Sequence, residues 1–442
     1  MSSTQISAGD TAWLLVATAL VFLMVPGLAL FYGGLVRARA ALNTFMMSFA
    51  AVAAVSVLWV LIGYSLAFAP GGPLIGGLQW AGLGDVGIAT AGPYAPTVPH
   101  IAFATFQALF AGIAAALISG VMVERVRFHV YLLFAVLWTM FVYVPIAHWV
   151  WGEGGWLREL GALDFAGGTV VHISAGTAAL VAALMLGRRR SLGVTPLVPH
   201  NVPFTLVGAG LLWVGWFGFN AGSALAAGPV ASLALTTTHV AAASALLAWI
   251  ALDFVRTGQA TAVGAATGAV VGLVAITPAA GYVTPLSAIA IGALGAGASY
   301  AAMQLRVRSR IDDALDVFAC HGVAGIVGAL LTGVFATTVV NPAGANGLLA
   351  GNPQLLGVQA LAVGSAIVFT AALTGLILWT ISALGSLRVP AWDELTGVDQ
   401  SEHGEHAYHD DDGTGIAAGG IGLSGGIIVP MLAEETKEKN AA

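Results

Sequence analysis

Two histidines stand where apolar residues are expected. His172 lies in DFAGGTVVHISAGTAALV (164–181) and His321 in DVFACHGVAGIVGAL (316–330), and both carry the pattern His-x-x-Ala-Gly. An imidazole at bilayer depth costs free energy unless it has a partner or lines a cavity, so each is a functional-site candidate. Their matched surroundings predict that they partner each other. Two neutral rings can share one N–H···N bond and leave one nitrogen of each facing a pore, where they offer a donor and an acceptor to a small polar solute. The blander alternative is that each ring bonds a nearby backbone carbonyl. Asp164 precedes His172 by eight residues, just over two helical turns. It could attract a cation, or cap the helix by accepting backbone N–H groups such as those of Ala166 or Gly167. Asp316, five residues before His321, carries the same ambiguity at the other end of its helix.

Aromatic residues form the second constellation. Phe106 and Phe110 are an i, i+4 pair, Trp151 follows at the end of a later apolar run, and Trp216, Phe217 and Phe219 lie in GWFGFNAGS (215–223) with Ser223 one turn on. Singly, such residues anchor helices at membrane interfaces. Gathered at one mouth they would make a cage worth ~0.5–2 kcal/mol per desolvated cation–π contact. The cage suits a small, weakly hydrated cation, and the Ser223 hydroxyl adds an acceptor for a cation that carries hydrogen-bond donors.

The elements that must position these residues follow from composition. The 442-residue chain is 58% hydrophobic and 8% charged, with mean hydropathy +0.90, against roughly 25% charged for a soluble domain. That composition implies an all-α polytopic membrane protein, because in lipid a helix satisfies its own backbone hydrogen bonds. The 58 glycines suit close helix packing. The only cysteine is Cys320, which excludes an intrachain disulfide and a multi-cysteine metal site. No cofactor, no enzymatic centre and no nucleic-acid partner is indicated. Windows of ~20 residues give eleven spans, at 10–34, 42–68, 99–122, 129–148, 165–187, 201–222, 230–253, 262–280, 284–304, 316–337 and 356–385. Fourteen of the fifteen Lys and Arg then fall on one side, with only Arg158 on the other, which puts the N-terminus outside and the C-terminus in the cytoplasm. No basic residue precedes Arg37, so no cleaved signal peptide is expected. Spans one to five and six to ten each end in a His-x-x-Ala-Gly helix. Units with an odd number of spans must have opposite topology, so two inverted five-helix repeats plus a final long helix are expected. Residues 1–387 are read as the membrane domain and 388–442 as a cytoplasmic tail, mobile over 410–442.

Taken together, FYGGLVR (31–37), FQALF (106–110), ERVRF (124–128), PIAHWVWG (145–152), DFAGGTVVH (164–172), GWFGFNAGS (215–223), DVFACHG (316–322) and SEHGEHAY (401–408) resemble the Amt/Mep/Rh family of ammonium transporters, from about residue 10 to 409. The resemblance implies an external ammonium site at Phe110, Trp151 and Ser223, and a stacked gate of Phe106 and Phe219 below it. It implies that Asp164 supports recruitment and deprotonation, and that His172 and His321 are the twin histidines of a narrow pore. It further implies a homotrimer in the cell membrane, one pore per subunit, and a PII-type signal protein as a partner at the cytoplasmic mouth. The run after His409 has no counterpart in the family pattern, which bears on that regulation.

The implied mechanism strips NH4+ at the outer cage, deprotonates it near Asp164, conducts NH3 past the histidines and moves the proton by a separate route, so that uptake is electrogenic. K+ cannot shed a proton and is rejected. Three other readings remain open: an ammonium sensor, a neutral channel for NH3 or CO2, and a membrane haem protein with His148 and His239 as spare ligands.

Overall fold

A computed structural model describes residues 5–194 and 197–408. Among these, ten helices are long and apolar enough to cross a membrane: α1 (Ala8–Leu35), α2 (Ala38–Phe68), α3 (His100–Met122), α4 (Phe128–Glu159, interrupted at 152–155), α5 (Gly168–Leu186), α6 (Val202–Ala221), α7 (Pro229–Thr257), α9 (Pro285–Arg308), α10 (Phe318–Phe335) and α11 (Pro353–Leu384). The expected eighth span is the shorter α8, Ala262–Ile276, buried from Ala266 onward. Its 15 residues rise only ~22 Å at 1.5 Å each, less than a ~30 Å hydrocarbon layer. The chain leaves the helix in buried turns over 277–283 instead. Two short helices follow α11, α12 (Ala391–Thr396) and α13 (Val398–His403). The expectation for 410–442 lies outside the described residues.

Helix starts are written locally. Asn201, Thr284 and Asn352 each accept a backbone N–H at the head of α6, α9 and α11, with a proline in the first turn of each. The neighbour relations of the first five helices recur in the next five. α2 packs on α3 as α7 does on α8, α2 on α4 as α7 on α9, α1 on α3 as α6 on α8, and α3 on α5 as α8 on α10. The two sets meet where α1 lies along α6 and α5 crosses α10. At the second crossing Gly176 is required, since a Cβ there would collide with the Gly322 backbone.

Five helices contain a wide π-helical turn among the described residues: Trp59–Gly63, Thr139–Tyr143, Gly168–Ile173, Phe217–Ala221 and Phe318–Val323. Such turns concentrate at functional sites, and these hold His172, Phe219 and His321.

The end of the bundle that carries the basic residues is tied by buried charges. Glu124 bonds Arg37 (2.7 Å) and Arg189 (2.9 Å), and Asp312 bonds Arg189 (3.0 Å) and Arg125 (3.2 Å). Burial alone would raise both carboxyls, but the arginines outweigh it and hold them below their ordinary range. The segment after α11 joins this network: Glu394 bonds Arg388 at 2.6 Å, and Asp399 accepts from the backbone of Leu42 and Asn43. The compact unit accordingly runs to Ala407.

Candidate functional site

His172 and His321 meet across the α5–α10 crossing, Nδ1 to Nδ1 at 3.3 Å, rings 5.3 Å apart and 18° from parallel. Both are buried. The contact holds one proton between two nitrogens. The ring that donates through Nδ1 keeps an acceptor at Nε2, and its partner keeps an Nε2–H donor. His172 Nε2 has no protein hydrogen-bond partner among the described residues. The Trp216 ring backs His172 at 5.3 Å and is itself held by its indole N–H donating to Thr277 Oγ1 (2.9 Å). The expectation that gathered Trp216 into an outer cage is therefore corrected: it sits beside the histidine. Beyond His321 a narrow apolar cavity continues past Trp216, Tyr32, Leu28, Leu117 and Leu212.

On the other side of His172 the ring column is continuous. Phe219 lies 6.0 Å from His172 and stacks on Phe110, centroids 3.9 Å apart at 11°. The stacked partner of Phe219 is thus Phe110 and not Phe106, which corrects the expected gate. Phe106 sits one turn nearer the start of α3, tilted 59° against Phe110 at 4.8 Å, with its ring edge close to Gly222 beside Ser223. An i, i+4 pair shares one helix face, so which ring meets Phe219 depends on how deep α6 lies against α3. Sequence spacing does not carry that depth.

Trp151 lies edge-on to Phe110 at 6.3 Å and donates its indole N–H to the Asp164 carbonyl at 2.8 Å. Ser223 donates its hydroxyl to Phe219 O at 2.8 Å, which leaves its oxygen lone pairs as acceptors.

Asp164 resolves its two readings in favour of a cap. Oδ1 accepts from Gly167 N (2.9 Å) and Gly168 N (2.6 Å), and Oδ2 from Thr169 N (2.9 Å) and Val170 N (3.0 Å). One carboxylate thereby satisfies four N–H groups that open α5. Gly167 holds a left-handed φ of 107° to turn the chain around it. Burial pushes this carboxyl up to about 6, against the pull of those four donors.

At the head of α10 the corresponding cap is Asp313, whose Oδ2 accepts from Phe318 N at 2.7 Å. Asp316, the expected counterpart, instead bonds Arg306 (3.0 Å) and takes a left-handed φ of 56°. Burial pushes it up to about 7 despite that arginine. Sequence reasoning missed Asp313 although the signal was present, because it precedes His321 by eight residues, as Asp164 precedes His172.

The spare haem ligands are engaged elsewhere. His148 sets Nδ1 2.9 Å from Ala67 O and Nε2 2.8 Å from Gly72 O, and His239 packs against Trp213 and Phe217.

A polytopic helical membrane protein with paired histidines beneath an aromatic stack is the class that fold and site define. The family model described as Ammonium Transporter Family matches residues 12–408, and the chain belongs to that family. It is 49% identical to an ammonium transporter of Bacillus subtilis over 91% of this chain and 99% of that one. It is 50% identical to an ammonium transporter of Aquifex aeolicus over 92% and 95%. Among solved structures, Saccharomyces cerevisiae Mep2 superposes with TM-score 0.81 at 38% identity, covering 86% of this chain and 87% of that one. A sensor Amt protein superposes with TM-score 0.81 at 30% identity, covering 89% and 98%.

Proposed function

We propose that the chain carries ammonium across the cell membrane by separating NH4+ into NH3 and a proton. The observation that supports this most is the column in which one wall of rings runs from Phe106 through Phe110 and Phe219 to the joined His172 and His321. Phe106, Trp151 and Ser223 surround the outer end and receive NH4+, the rings through their π faces and Ser223 through its lone pairs. This moves Phe110 from the outer site into the gate with Phe219. Asp164 acts from behind, since its carbonyl orients Trp151 and its charge lies near the mouth. A bare cation cannot pass the stacked rings into the apolar bore without losing hydration worth many kcal/mol, whereas neutral NH3 loses far less. Beyond the gate the histidine pair offers both an acceptor and a donor to NH3. The proton travels separately through the shared Nδ1 contact and water, and uptake is electrogenic. K+ meets the same barrier and has no proton to give up.

The reading extends to assembly and placement. α8 serves as the eleventh crossing, the N-terminus is outside and the C-terminus cytoplasmic, and three copies assemble with one pore each. A PII-type protein acts at the cytoplasmic face.

The test is current on a solid-supported membrane, from proteoliposomes given an ammonium pulse, beside the His172→Ala/His321→Ala double variant. A saturable ammonium current, absent with K+, is expected in the parent chain, and lost or less selective in the variant. Saturable binding without current would replace transport by sensing, and ammonia flux without current would make the pore a neutral channel.

A further inference from the structure

We propose that Gln359 is a positioning residue for the outer site, an assignment that rests on the reading of that end as the ammonium entry. Its side chain clamps the peptide that carries Asp164 and thereby aims Trp151. Gln359 is the one amide side chain of α11 beyond its first turn, and it is buried. An amide inside a membrane helix is costly unless its groups are paired. Here both donors and the oxygen are paired. Oε1 accepts from Leu163 N (2.8 Å), and Nε2 donates to Leu163 O (2.8 Å) and to Ala329 O of α10 (3.1 Å). One N–H and two carbonyls facing the amide allow it a single orientation.

The clamp falls where the chain lacks support of its own. Between α4 and α5, residues 160–167 form no helix or strand, so their backbone groups must find partners elsewhere. Leu163 O and Asp164 N belong to one rigid peptide plane, so the amide that holds Leu163 also fixes where the Asp164 backbone starts. One residue on, Phe165 N donates to Pro278 O at 3.1 Å. From Asp164 the order passes to Trp151, whose indole N–H donates to the Asp164 carbonyl at 2.8 Å. The Trp151 carbonyl in turn accepts from Arg158 Nη1 at 2.8 Å. Trp151 is therefore fastened at both ends, its backbone by an exposed arginine and its indole by a chain of bonds running through Asp164 and Leu163 to Gln359. A close approach of α11 to α10 lets the amide reach: a Cβ at Gly333 would meet Leu356 Cα at 2.8 Å and Gln359 Cγ at 3.2 Å. α11 stands outside the two five-helix sets whose packing recurs, and its amide attends the head of α5 and not that of α10. An amide that only joined α11 to the bundle would leave Trp151 indifferent to its loss.

The experiment has a structural and a transport arm, both on the full chain. In the first, protein labelled with 5-fluorotryptophan is followed by fluorine NMR in detergent, and the resonance absent from Trp151→Phe is that of Trp151. Gln359→Leu removes the amide at similar size and is expected to shift that resonance more than those of the other tryptophans. In the second, ammonium current on a solid-supported membrane is compared for the parent, Gln359→Leu, Trp151→Phe and the double variant. Gln359→Leu is expected to raise the half-saturating concentration ~2- to 10-fold in the parent background, part of one cation–π contact, and less than ~2-fold beside Trp151→Phe, because residues acting through one another are not additive. An equal fall in maximal current in both backgrounds, with half-saturation unchanged, is what a purely structural amide gives and overturns the proposal. So does a Trp151 resonance that stays in place. If Gln359→Leu fails to fold, Gln359→Asn carries both arms, since a side chain shorter by one ~1.5 Å bond withdraws the amide from Leu163 and stays polar. A Trp151 shift with no ammonium current in the parent would overturn the transport reading and leave the clamp on Trp151 standing.

Discussion

The heads of α5 and α10 are built on one plan and set in opposite surroundings. Each has a carboxylate eight residues before a histidine, a π-helical turn around that histidine, and an Ala-Gly step that lets the helices touch. At α5 the carboxylate of Asp164 holds four backbone N–H groups and its neighbours are aromatic. At α10 Asp313 holds Phe318 N, while Asp312 and Asp316 are committed to arginines. The duplicated part is what a pair of meeting histidines needs. The divergent part reflects what lies outside each end: the aromatic mouth that the proposed mechanism makes the entry for ammonium, and a basic face whose own cations must be neutralised where they are buried.

The largest expected effect probes the shared carboxylate. Asp164→Ala would leave four buried N–H groups without an acceptor and Asp313→Ala one, at ~1–3 kcal/mol for each group left unsatisfied. The thermal midpoint in detergent should fall markedly further for Asp164→Ala, and Asp164→Asn should recover part of the loss. Equal losses would mean that the two caps bear equal weight, and the asymmetry would be gone.

The aromatic side of the comparison is sharpened by Phe106 and Phe110. Phe106→Ala should raise the half-saturating ammonium concentration by ~2- to 30-fold, the equivalent of one cation–π contact. Phe110→Ala should leave that concentration within about twofold and change maximal current or ion selectivity. The reverse pattern would return Phe110 to the outer site and Phe106 to the gate.

The smallest effect separates the ends by pH. Glu124 and Asp312 are held below their ordinary values in the folded chain. Their stabilisation is therefore complete above the usual carboxylate range and is lost as pH falls through the lowered values. Asp164, held up to about 6, has the opposite sign and is not weakened by acid. Between pH 7 and pH 3.5 the melting temperature of the parent chain should move further downward relative to that of Glu124→Gln, at ~2–4 °C per kcal/mol, since the gain in acid at Asp164 and Asp316 is common to both. An unchanged slope in that variant would remove the basic-face network as the acid-sensitive part.

Much of this was open to reading in one dimension. Helix positions matched the hydropathy windows within a few residues for nine of the ten long spans, because apolar length is a property of sequence alone, while the fourth, expected to end at 148, runs to Glu159 across its interruption. The shared His-x-x-Ala-Gly pattern pointed to paired histidines because an intramembrane imidazole needs a partner. The eighth span showed the limit, since α8 is short and ends in buried turns that hydropathy cannot tell from helix.

By itself, then, the sequence determined the class, the placement of the helices and the identity of the histidines, through hydrophobicity, charge bias and the cost of burying polar groups. The tertiary structure alone decided that Phe110 rather than Phe106 meets Phe219, that Asp313 rather than Asp316 caps α10, and that Trp216 backs His172. It also alone joined Glu124, Arg189 and Asp312, which lie 65 and 123 residues apart in the chain. Each of these depends on the depth and rotation of one helix against another. Those are set by packing across the whole bundle and leave no local trace in the order of residues.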